Sequence, residues 1–309
     1  MKVRALISYH YAKRWDLDRM VAENADEWPD LWIDSGGFSA MTVGAVITCE
    51  EYADWLLAHQ GQYSAACVLD VIGDPVGTMA NQQKLEDLGV AVLPAYHMRS
   101  ERWDIFDHIC DNYAYACLGG MAGTMTPPHL IVRFLVHALR RARDRGSSIV
   151  FHVLGMTSYT TLANLPIYSA DCSTWSSAHR WGYYEVFDQQ SGELEQVWMG
   201  RKGGTRDLGR HGALLREHGV EPRALIIDPP RRVRTSIACI AYAKREAWMR
   251  NRVGAIARPD DPDNDDPGLR LYLSVSTSDG FVELLRCMRP IDDLGAIPRW
   301  WKESDVIAS

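Results

Sequence analysis

The sequence has no long apolar segment and no paired cysteines. No stretch approaches the roughly 18 consecutive apolar residues that a membrane-spanning helix needs, and Met1 to Asp16 contain no long apolar run. The seven cysteines stand singly, so neither a disulfide framework nor a zinc knuckle is indicated, and we expect reduced, mostly buried thiols. These absences predict a cytoplasmic protein without a membrane partner.

An excess of positive charge is missing as well. Lys and Arg number 33 against 40 Asp and Glu, which gives a formal net charge of −7, so a nucleic acid would have to be met by a local basic patch. Five aspartates crowd the Pro-rich segment 259–267, which we expect to be a solvated loop. Since 47% of the 309 residues are apolar, we predict one large core and a single domain over residues 1–309.

Short apolar runs alternate with helix-like segments from the N-terminus to about residue 175. Such alternation is typical of βα units that form a parallel sheet. Helix signals separate the runs, such as the capping box of Thr48 and Glu51 and the Pro127–Pro128 pair that opens a helix ending near Gly146. Seven strands in succession predict an α/β fold, a (β/α)8 barrel of the TIM type. The predicted strands are Val3–Tyr9, Leu31–Ser35, Ala66–Val71, Ala91–Tyr96, Tyr115–Leu118, Ile149–Leu154 and Ile167–Ala170.

The alternation changes after residue 175. Two short strand-like runs flank Ser191-Gly192 and predict a hairpin, inserted at about 183–204 and followed by a C-terminal α/β extension. One of the late strands given below is expected to close the barrel, and the sequence does not determine which one. The predicted elements are strands Val186–Gln190 and Leu194–Met199, helix Leu208–His218, strand Ala224–Asp228, helix Thr235–Arg252 and strand Leu269–Val275.

Polar residues and glycines gather at the ends of the predicted strands. Each alone is more often a turn former, a helix cap or a packed residue. Because the loops after parallel barrel strands surround one mouth, their coincidence predicts a site there. In chain order they are Asp34, Asp70, His97, the Gly119–Gly120 pair, His152 with Gly155, and Asp171.

Five of these motifs resemble a known enzyme family in order and in strand position. They are Asp34-Ser35-Gly36-Gly37-Phe38, Leu69-Asp70, Leu118-Gly119-Gly120-Met121-Ala122, His152-Val153-Leu154-Gly155 and Ser169-Ala170-Asp171. The set resembles the queuine and archaeosine tRNA-guanine transglycosylases over about residues 30–182. The stretch Asp171-Cys172-Ser173-Thr174-Trp175 is more similar to short phage and bacterial relatives that insert 7-deazaguanines into DNA.

The resemblance implies an exchange of bases on a nucleic acid. It implies that Asp171 is the nucleophile that bonds to the sugar, that Asp34 transfers the proton, and that Asp70 reads the guanine edge. Two carboxylates suit such an exchange, one as nucleophile and one as acid and then base, as in retaining glycosidases. Neither a cofactor nor a metal is expected. The implied base pocket also contains Ser35, Gly36, Phe38, His97, Gly119, Gly120, Met121, His152, Leu154 and Gly155.

Departures from the tRNA enzymes favour DNA as the substrate. The chain lacks their Cys-x-Cys-x-x-Cys and His zinc site, Ser39 replaces a common glutamine, and we expect no counterpart of the appended archaeal domains. His97 stands where a glutamine is usual in the tRNA enzymes. We therefore predict that guanine in DNA is replaced by a 7-deazaguanine of the preQ0 type, with tRNA as the alternative. The expected partners are DNA and the free base, in the host cytoplasm if a phage encodes the chain. The sequence leaves a homodimer open.

Phosphate contacts need local cations because the net charge is negative. The run Arg140 to Arg145 is expected to be the solvated end of a helix. Trp175 and Trp181 are candidates either for stacking on a nucleotide or for packing. A base must leave the duplex stack to react, so we expect a single strand or a flipped nucleotide. The candidate nucleic-acid contacts are Arg201, Lys202, Arg206, Arg210, Arg231 and Arg232.

Two other functions are compatible with these residues. A metal-dependent barrel hydrolase would use His97, His152, Asp34 and Asp171 as ligands, although the chain lacks the early His-x-His that such sites usually have. An inactive nucleic-acid-binding barrel is the second alternative. Retention of three aspartates argues against it, because buried carboxylates cost desolvation energy.

Overall fold

Eight parallel strands form one curled sheet in the computed structural model. The model describes residues 4–25, 28–121, 126–156, 158–198, 204–218, 220–225, 231–258 and 268–288. The sheet order is β3-β2-β1-β10-β7-β6-β5-β4, and a separate antiparallel pair is formed by β8 and β9. The strands are β1 Arg4–Ser8, β2 Asp30–Asp34, β3 Ala65–Ala66, β4 Ala95–His97, β5 Tyr115–Gly119, β6 Val150–Val153, β7 Ser169–Cys172, β8 Tyr183–Asp188, β9 Glu193–Trp198 and β10 Arg270–Val275.

Helices connect the strands of the sheet. Two predicted helix starts are confirmed, since Thr48 and Glu51 form a reciprocal capping box and Pro128 opens a 17-residue helix. Within the described residues, no helix combines the length and apolarity needed to cross a membrane. The helices are α1 Tyr9–Ala12, α2 Leu17–Glu23, α3 Gly37–Val43, α4 Cys49–Ala58, α5 Pro75–Asp87, α6 Trp103–Asn112, α7 Pro128–Asp144, α8 Tyr159–Leu162, α9 Ser177–Trp181, α10 Gly204–Arg210, α11 Gly212–Glu217, α12 Arg231–Val253 and α13 Ser278–Met288.

The two edges of the parallel sheet approach each other. A parallel bridge joins Cys67, just after β3, to Leu93, just before β4. Two backbone hydrogen bonds support it, from Val68 to the Leu93 carbonyl at 2.9 Å and from Leu93 to the Ala66 carbonyl at 2.8 Å. This curled parallel sheet with connecting helices is compatible with a TIM-like α/β fold.

The third and fourth strands are shorter than the apolar runs predicted. Beyond Cys67 the chain leaves the sheet, and side chains of α5 take over the backbone hydrogen bonds. Asn81 donates to the Leu69 carbonyl at 2.8 Å, and the Thr78 hydroxyl accepts from the Val71 amide at 3.0 Å. The apolar run after Cys67 is therefore not a strand, because side chains of α5 form the backbone hydrogen bonds that a neighbouring strand would otherwise form.

The strand that lies between β1 and β7 is β10. It pairs with both in parallel, which settles which late strand completes the sheet. The predicted strand over 224–228 is wrong in its first part, because Pro222–Leu225 forms a 3₁₀ turn; the rest lies outside the described residues. Pro222 has a fixed φ suited to this turn, and the buried Leu225 packs in a small cluster with β8 and β9. The helix predicted over 208–218 is divided into α10 and α11.

Strand alternation determines which side chains face the interior of the curl. Asp30, Trp32 and Asp34 of β2 share one face because successive strand residues point to opposite sides. Trp32 stacks on His152 of β6, with ring centroids 4.5 Å apart. Since β2 and β6 are not neighbours in the sheet, this contact spans the interior. Asp34 therefore lies on the inner face at the carboxyl end of its strand.

The predicted hairpin is present as β8 and β9, and it packs against the long helix α12. Phe187 and Trp248 have ring centroids 6.2 Å apart, and Trp248 Nε1 donates to the Gln189 carbonyl at 3.1 Å. Gly192 closes the turn with a φ of 77°, the left-handed region that favours glycine. The side chain of Glu246 on the same helix reaches β1 and β10, so α12 contacts both the hairpin and the parallel sheet.

We expect Glu246 to be a main determinant of stability. Its Oε1 accepts from Arg4 Nη1 at 2.6 Å and its Oε2 from the Leu271 amide at 2.8 Å, all buried. Glu246→Ala removes the nearer of two carboxylates from the buried Arg4 guanidinium, which keeps Asp30 at 3.5 Å, and leaves the Leu271 amide without its acceptor, so the free energy of unfolding in urea should fall by about 3 kcal/mol. The control Glu23→Ala breaks the exposed pair with Arg19 and should cost less than about 1 kcal/mol. Equal losses in both variants would contradict this role.

Candidate active site

A cavity of about 810 Å³ opens at the carboxyl ends of the parallel strands. Its volume falls within the range of about 300–1,000 Å³ that small-ligand sites usually occupy. Strands β1, β2, β4, β7 and β10 and the loops after β3, β5 and β6 contribute to its wall. Eight of the residues that the sequence predicted for catalysis or for the base pocket line it: Asp34, Phe38, Asp70, His97, Gly120, Leu154, Gly155 and Asp171.

Asp171 on β7 is held by donors from three different segments. Its Oδ1 accepts from the Gly155 amide at 2.6 Å and faces His152 Nε2 at 3.2 Å, while its Oδ2 accepts from the Ser274 hydroxyl at 2.7 Å. The residue is only 7% exposed. These donors compensate for its burial and fix the orientation of the carboxylate toward the cavity.

Asp34 ends β2 and has a strongly perturbed acidity. Burial raises its pKa to about 7, with further contributions from the charges of Asp70 and Asp171. The Gly36 amide, which donates to Asp34 Oδ2 at 3.0 Å, and the Ser8 hydroxyl partly offset this rise. A carboxyl group with this pKa can give and take a proton near neutral pH.

Asp70 and His97 form a pair on the cavity wall. Asp70 Oδ2 lies 3.1 Å from His97 Nε2. Burial lowers the pKa of His97, but the hydrogen bond and the charge of Asp70 outweigh it, so the pKa lies above its ordinary value. Asp70 Oδ1 is buried without a hydrogen-bond partner in the described part of the chain. It is therefore an acceptor for a ligand that presents N–H groups.

Two glycines are required by close approach. A Cβ on Gly119 would lie 2.5 Å from Cδ2 of His97, so any side chain there would displace that ring. Gly36 has a φ of 78°, and a Cβ there would lie 2.6 Å from His10 Cβ and from Ser8 Oγ. These glycines keep the imidazole and the Asp34 turn in place.

Five residues expected in the base pocket do not line the cavity. Ser35, Gly36 and Gly119 are buried, and the two glycines pack against the side chains of His10 and His97. Met121 is 5% exposed and packs in an apolar cluster. His152 is completely buried, because its ring lies between Trp32 and Asp171 rather than facing the opening.

Of the six nucleic-acid contacts expected from the sequence, the structure describes the side chain of Arg210 alone. Arg201 and Lys202 lie outside the described residues, Arg206 is part of α10, and Arg231 and Arg232 begin α12. Arg210 is exposed at the end of α10 and does not line the cavity. At the end of α7, Arg141 and Arg145 form ion pairs with Asp107 and Asp111, as expected for a solvated helix end.

Two residues missed in the sequence, Ser274 and Arg99, belong to the cavity. Ser274 orients Asp171 through its hydroxyl. Trp175, a candidate for stacking or packing, is 3% exposed and donates to the Ser274 carbonyl at 2.9 Å, which favours packing. Arg99 is the single Lys or Arg among the described lining residues. Its backbone has a φ of 76°, unusual for a non-glycine residue, and its guanidinium donates to Thr126 Oγ1 at 3.0 Å. That positive φ has no signal in the sequence.

The cavity combines a protonatable carboxyl, an oriented carboxylate and a free acceptor. Within the described ranges, no three His, Cys, Asp or Glu side chains form a group able to hold a metal ion. Comparisons of the chain with family models, curated proteins and solved structures find no match. The geometry of the site suits nucleophilic substitution assisted by proton transfer.

The raised pKa of Asp34 predicts a pH-dependent stability. A carboxyl whose pKa rises from 3.8 to about 7 on folding stabilises the folded state fully below about pH 4. That contribution is lost as pH increases through about 7. The variant Asp34→Asn should therefore gain stability relative to the wild type between pH 4 and pH 8, by on the order of 2 kcal/mol after allowance for partial exposure. Urea denaturation at both pH values measures this, and a pH-independent difference would contradict it.

Proposed function

We propose that this chain is a base-exchange transglycosylase that replaces guanine in DNA with a 7-deazaguanine, through a covalent bond between Asp171 and the sugar. The single observation that carries the proposal is that Asp34, Asp70 and Asp171 line one cavity, in different chemical environments. The choice of guanine and of DNA rests on the resemblance of the sequence motifs. We further propose that the curled sheet is a (β/α)8 barrel that β10 closes.

In the first step, an oxygen of the Asp171 carboxylate attacks the anomeric carbon of the target nucleotide. The bond between this carbon and the guanine nitrogen breaks, and a glycosyl ester with Asp171 forms. Asp34, protonated near neutral pH, gives its proton to the departing guanine. The three hydrogen bonds to Asp171 support this step because they hold the carboxylate in one orientation.

In the second step, the free 7-deazaguanine occupies the place of guanine. Its ring N–H loses a proton to the Asp34 carboxylate, and the nitrogen attacks the anomeric carbon. The ester bond breaks and releases Asp171 as a carboxylate, so the two steps together exchange one base for another without a net change in protons. The same two carboxyl groups serve both directions, as microscopic reversibility requires.

We assign recognition of the base to the free acceptor of Asp70. Asp70 Oδ1 has no protein partner among the described residues and can accept from the ring N–H and the exocyclic amine of guanine. His97, whose Nε2 contacts Asp70 Oδ2, keeps this carboxylate oriented. A 7-deazaguanine has the same hydrogen-bonding edge, so one pocket serves both bases.

The target nucleotide can enter the cavity only if its base leaves the stacked bases of the nucleic acid. The charged side chains of the described lining are mostly acidic and comprise Asp34, Asp70, Asp74, Asp171 and Glu283. Arg99 supplies a positive charge on the same wall and is held by Thr126. We assign Arg99 to the phosphate of the target nucleotide.

The covalent step is tested with a single-stranded oligonucleotide that contains guanine, with no incoming base. The wild type should form a denaturation-resistant complex with it. Asp171→Asn should lose this complex and reduce exchange at least about a thousandfold, while the affinity for the oligonucleotide changes less than about threefold. The control Asp188→Asn, which is half-buried at the hairpin turn and does not line the cavity, should behave as the wild type. A complex that persists in Asp171→Asn would overturn the mechanism, and labelled preQ0 that enters only tRNA would overturn the choice of DNA.

The phosphate contact is tested through salt dependence. Arg99→Ala should raise the KM for the oligonucleotide about tenfold with a smaller change in kcat, and should reduce the slope of log KM against log salt by about one. Arg102→Ala is the matched control, because Arg102 is exposed nearby and paired with Asp104. Salt slopes that are the same in the wild type and in Arg99→Ala would exclude this contact.

A further inference from the structure

We infer that His152 is a positioning residue for the nucleophile, and that a hydrogen-bond chain from Tyr115 through Ser169 keeps its imidazole in the neutral tautomer that carries the proton on Nε2. The part of this inference that concerns catalysis rests on the proposed function. The chain of contacts itself is a property of the fold and can be tested without any substrate.

Three consecutive contacts lead from the core to Asp171. The Tyr115 hydroxyl lies 2.5 Å from Ser169 Oγ, Ser169 Oγ lies 2.8 Å from His152 Nδ1, and His152 Nε2 lies 3.2 Å from Asp171 Oδ1. Tyr115 is 5% exposed, and Ser169 and His152 are completely buried. Water therefore does not compete for these groups, and each polar atom depends on its neighbours.

The register of the sheet creates this chain. His152 of β6 and Ser169 of β7 are direct partners across neighbouring strands. Ser169 and Asp171 are two residues apart on β7 and so point to the same face, which lets His152 contact both. Trp32 stacks on the imidazole at 4.5 Å with an interplanar angle of 16°, and Tyr272 contacts it edge-on at 5.9 Å. These two aromatic contacts restrain the ring plane.

The number of available protons determines the tautomer. Both oxygens of Asp171 act as acceptors, from the Gly155 amide and from the Ser274 hydroxyl, so His152 Nε2 is the donor in its contact with Oδ1, and Nδ1 is left as an acceptor. The Ser169 hydroxyl then donates to Nδ1, and the Tyr115 hydroxyl donates to Ser169. Neither hydroxyl has another hydrogen-bond partner in the described part of the chain. Each of the three contacts therefore contains one proton, from Tyr115, from Ser169 and from His152 Nε2.

A protonated imidazole would not fit this chain. It would place a second donor on Nδ1, and one of the two buried hydroxyl protons, on Ser169 or Tyr115, would have no acceptor. Burial also raises the pKa of Tyr115, so its hydroxyl stays a donor. The chain therefore selects neutral His152, which orients the Asp171 carboxylate without neutralising it. A nucleophile needs both properties, a fixed direction and its negative charge.

The tautomer is tested first, by NMR of the imidazole nitrogens at about pH 8, well above the ordinary pKa of histidine. The signal of His152 is assigned by its loss in His152→Phe, a variant that keeps an aromatic ring on Trp32. We expect the neutral form protonated on Nε2 in the wild type, and a change in the Nδ1 signal in Ser169→Ala and Tyr115→Phe. Thr161→Ala, a buried hydroxyl outside the chain, should leave the signal unchanged. A proton on Nδ1 in the wild type overturns the inference.

The positioning role is tested by the rate of covalent-complex formation at saturating oligonucleotide. His152→Phe should slow it about a hundredfold and Ser169→Ala about tenfold, the effects of losing a hydrogen bond to a charged and to a neutral group. His152→Gln and Ser169→Thr, which retain a donor, should recover part of each loss, and oligonucleotide affinity should change little in all four. Wild-type rates in Ser169→Ala and His152→Phe overturn this role. Absence of a complex in the wild type would instead refute the proposed function, and the NMR result would still decide the tautomer.

Discussion

Mutual repulsion among three carboxyl groups governs the arrangement of the cavity. Asp34, Asp70 and Asp171 share one opening, and water cannot screen them as it would on a surface. Each is stabilised in a different way. Asp34 has a pKa near 7 and is readily protonated, Asp70 pairs with His97, and Asp171 has three donors around its oxygens. This division gives each group a separate chemical role, as expected for an acid, a recognition group and a nucleophile.

The interior beneath these carboxylates is more polar than an ordinary core. Asp30, Tyr115, Ser169 and His152 are all buried within the sheet, and each has a hydrogen-bond partner. A satisfied buried network is rigid because any movement leaves a polar group without a partner. The rigidity of the site therefore comes from the polar layers below it as much as from the loops around it.

The sequence predicted those parts of the fold that depend on local patterns. Seven apolar runs with polar ends, a capping box and a proline helix start are local signals, and the corresponding elements are present. The polar residues at successive strand ends also predicted that Asp34, Asp70 and Asp171 would meet at one mouth. The depth of His152 was not predictable in this way, since it depends on stacking with Trp32 from a strand that is not its neighbour.

Other parts depend on contacts between distant segments. The sequence did not determine which late strand completes the sheet, because the runs over 224–228 and 269–275 are both apolar. Only the pairing of β10 with β1 and β7 distinguishes them. Ser274 and Arg99 carry no motif of their own. Ser274 matters because β10 lies beside β7, and Arg99 because an unusual backbone conformation accompanies its place on the cavity wall.

The position of β10 has a consequence for how the protein acquires its site. The bond between Ser274 and Asp171 joins residues 103 positions apart, and β10 also pairs with the first strand of the chain. Contacts of such long range form late and slow the folding of a domain. The aligned Asp171 carboxylate therefore exists only after the sheet has been completed. A nascent or partly folded chain, which exposes the same aspartate, has no means of holding it in a reactive orientation.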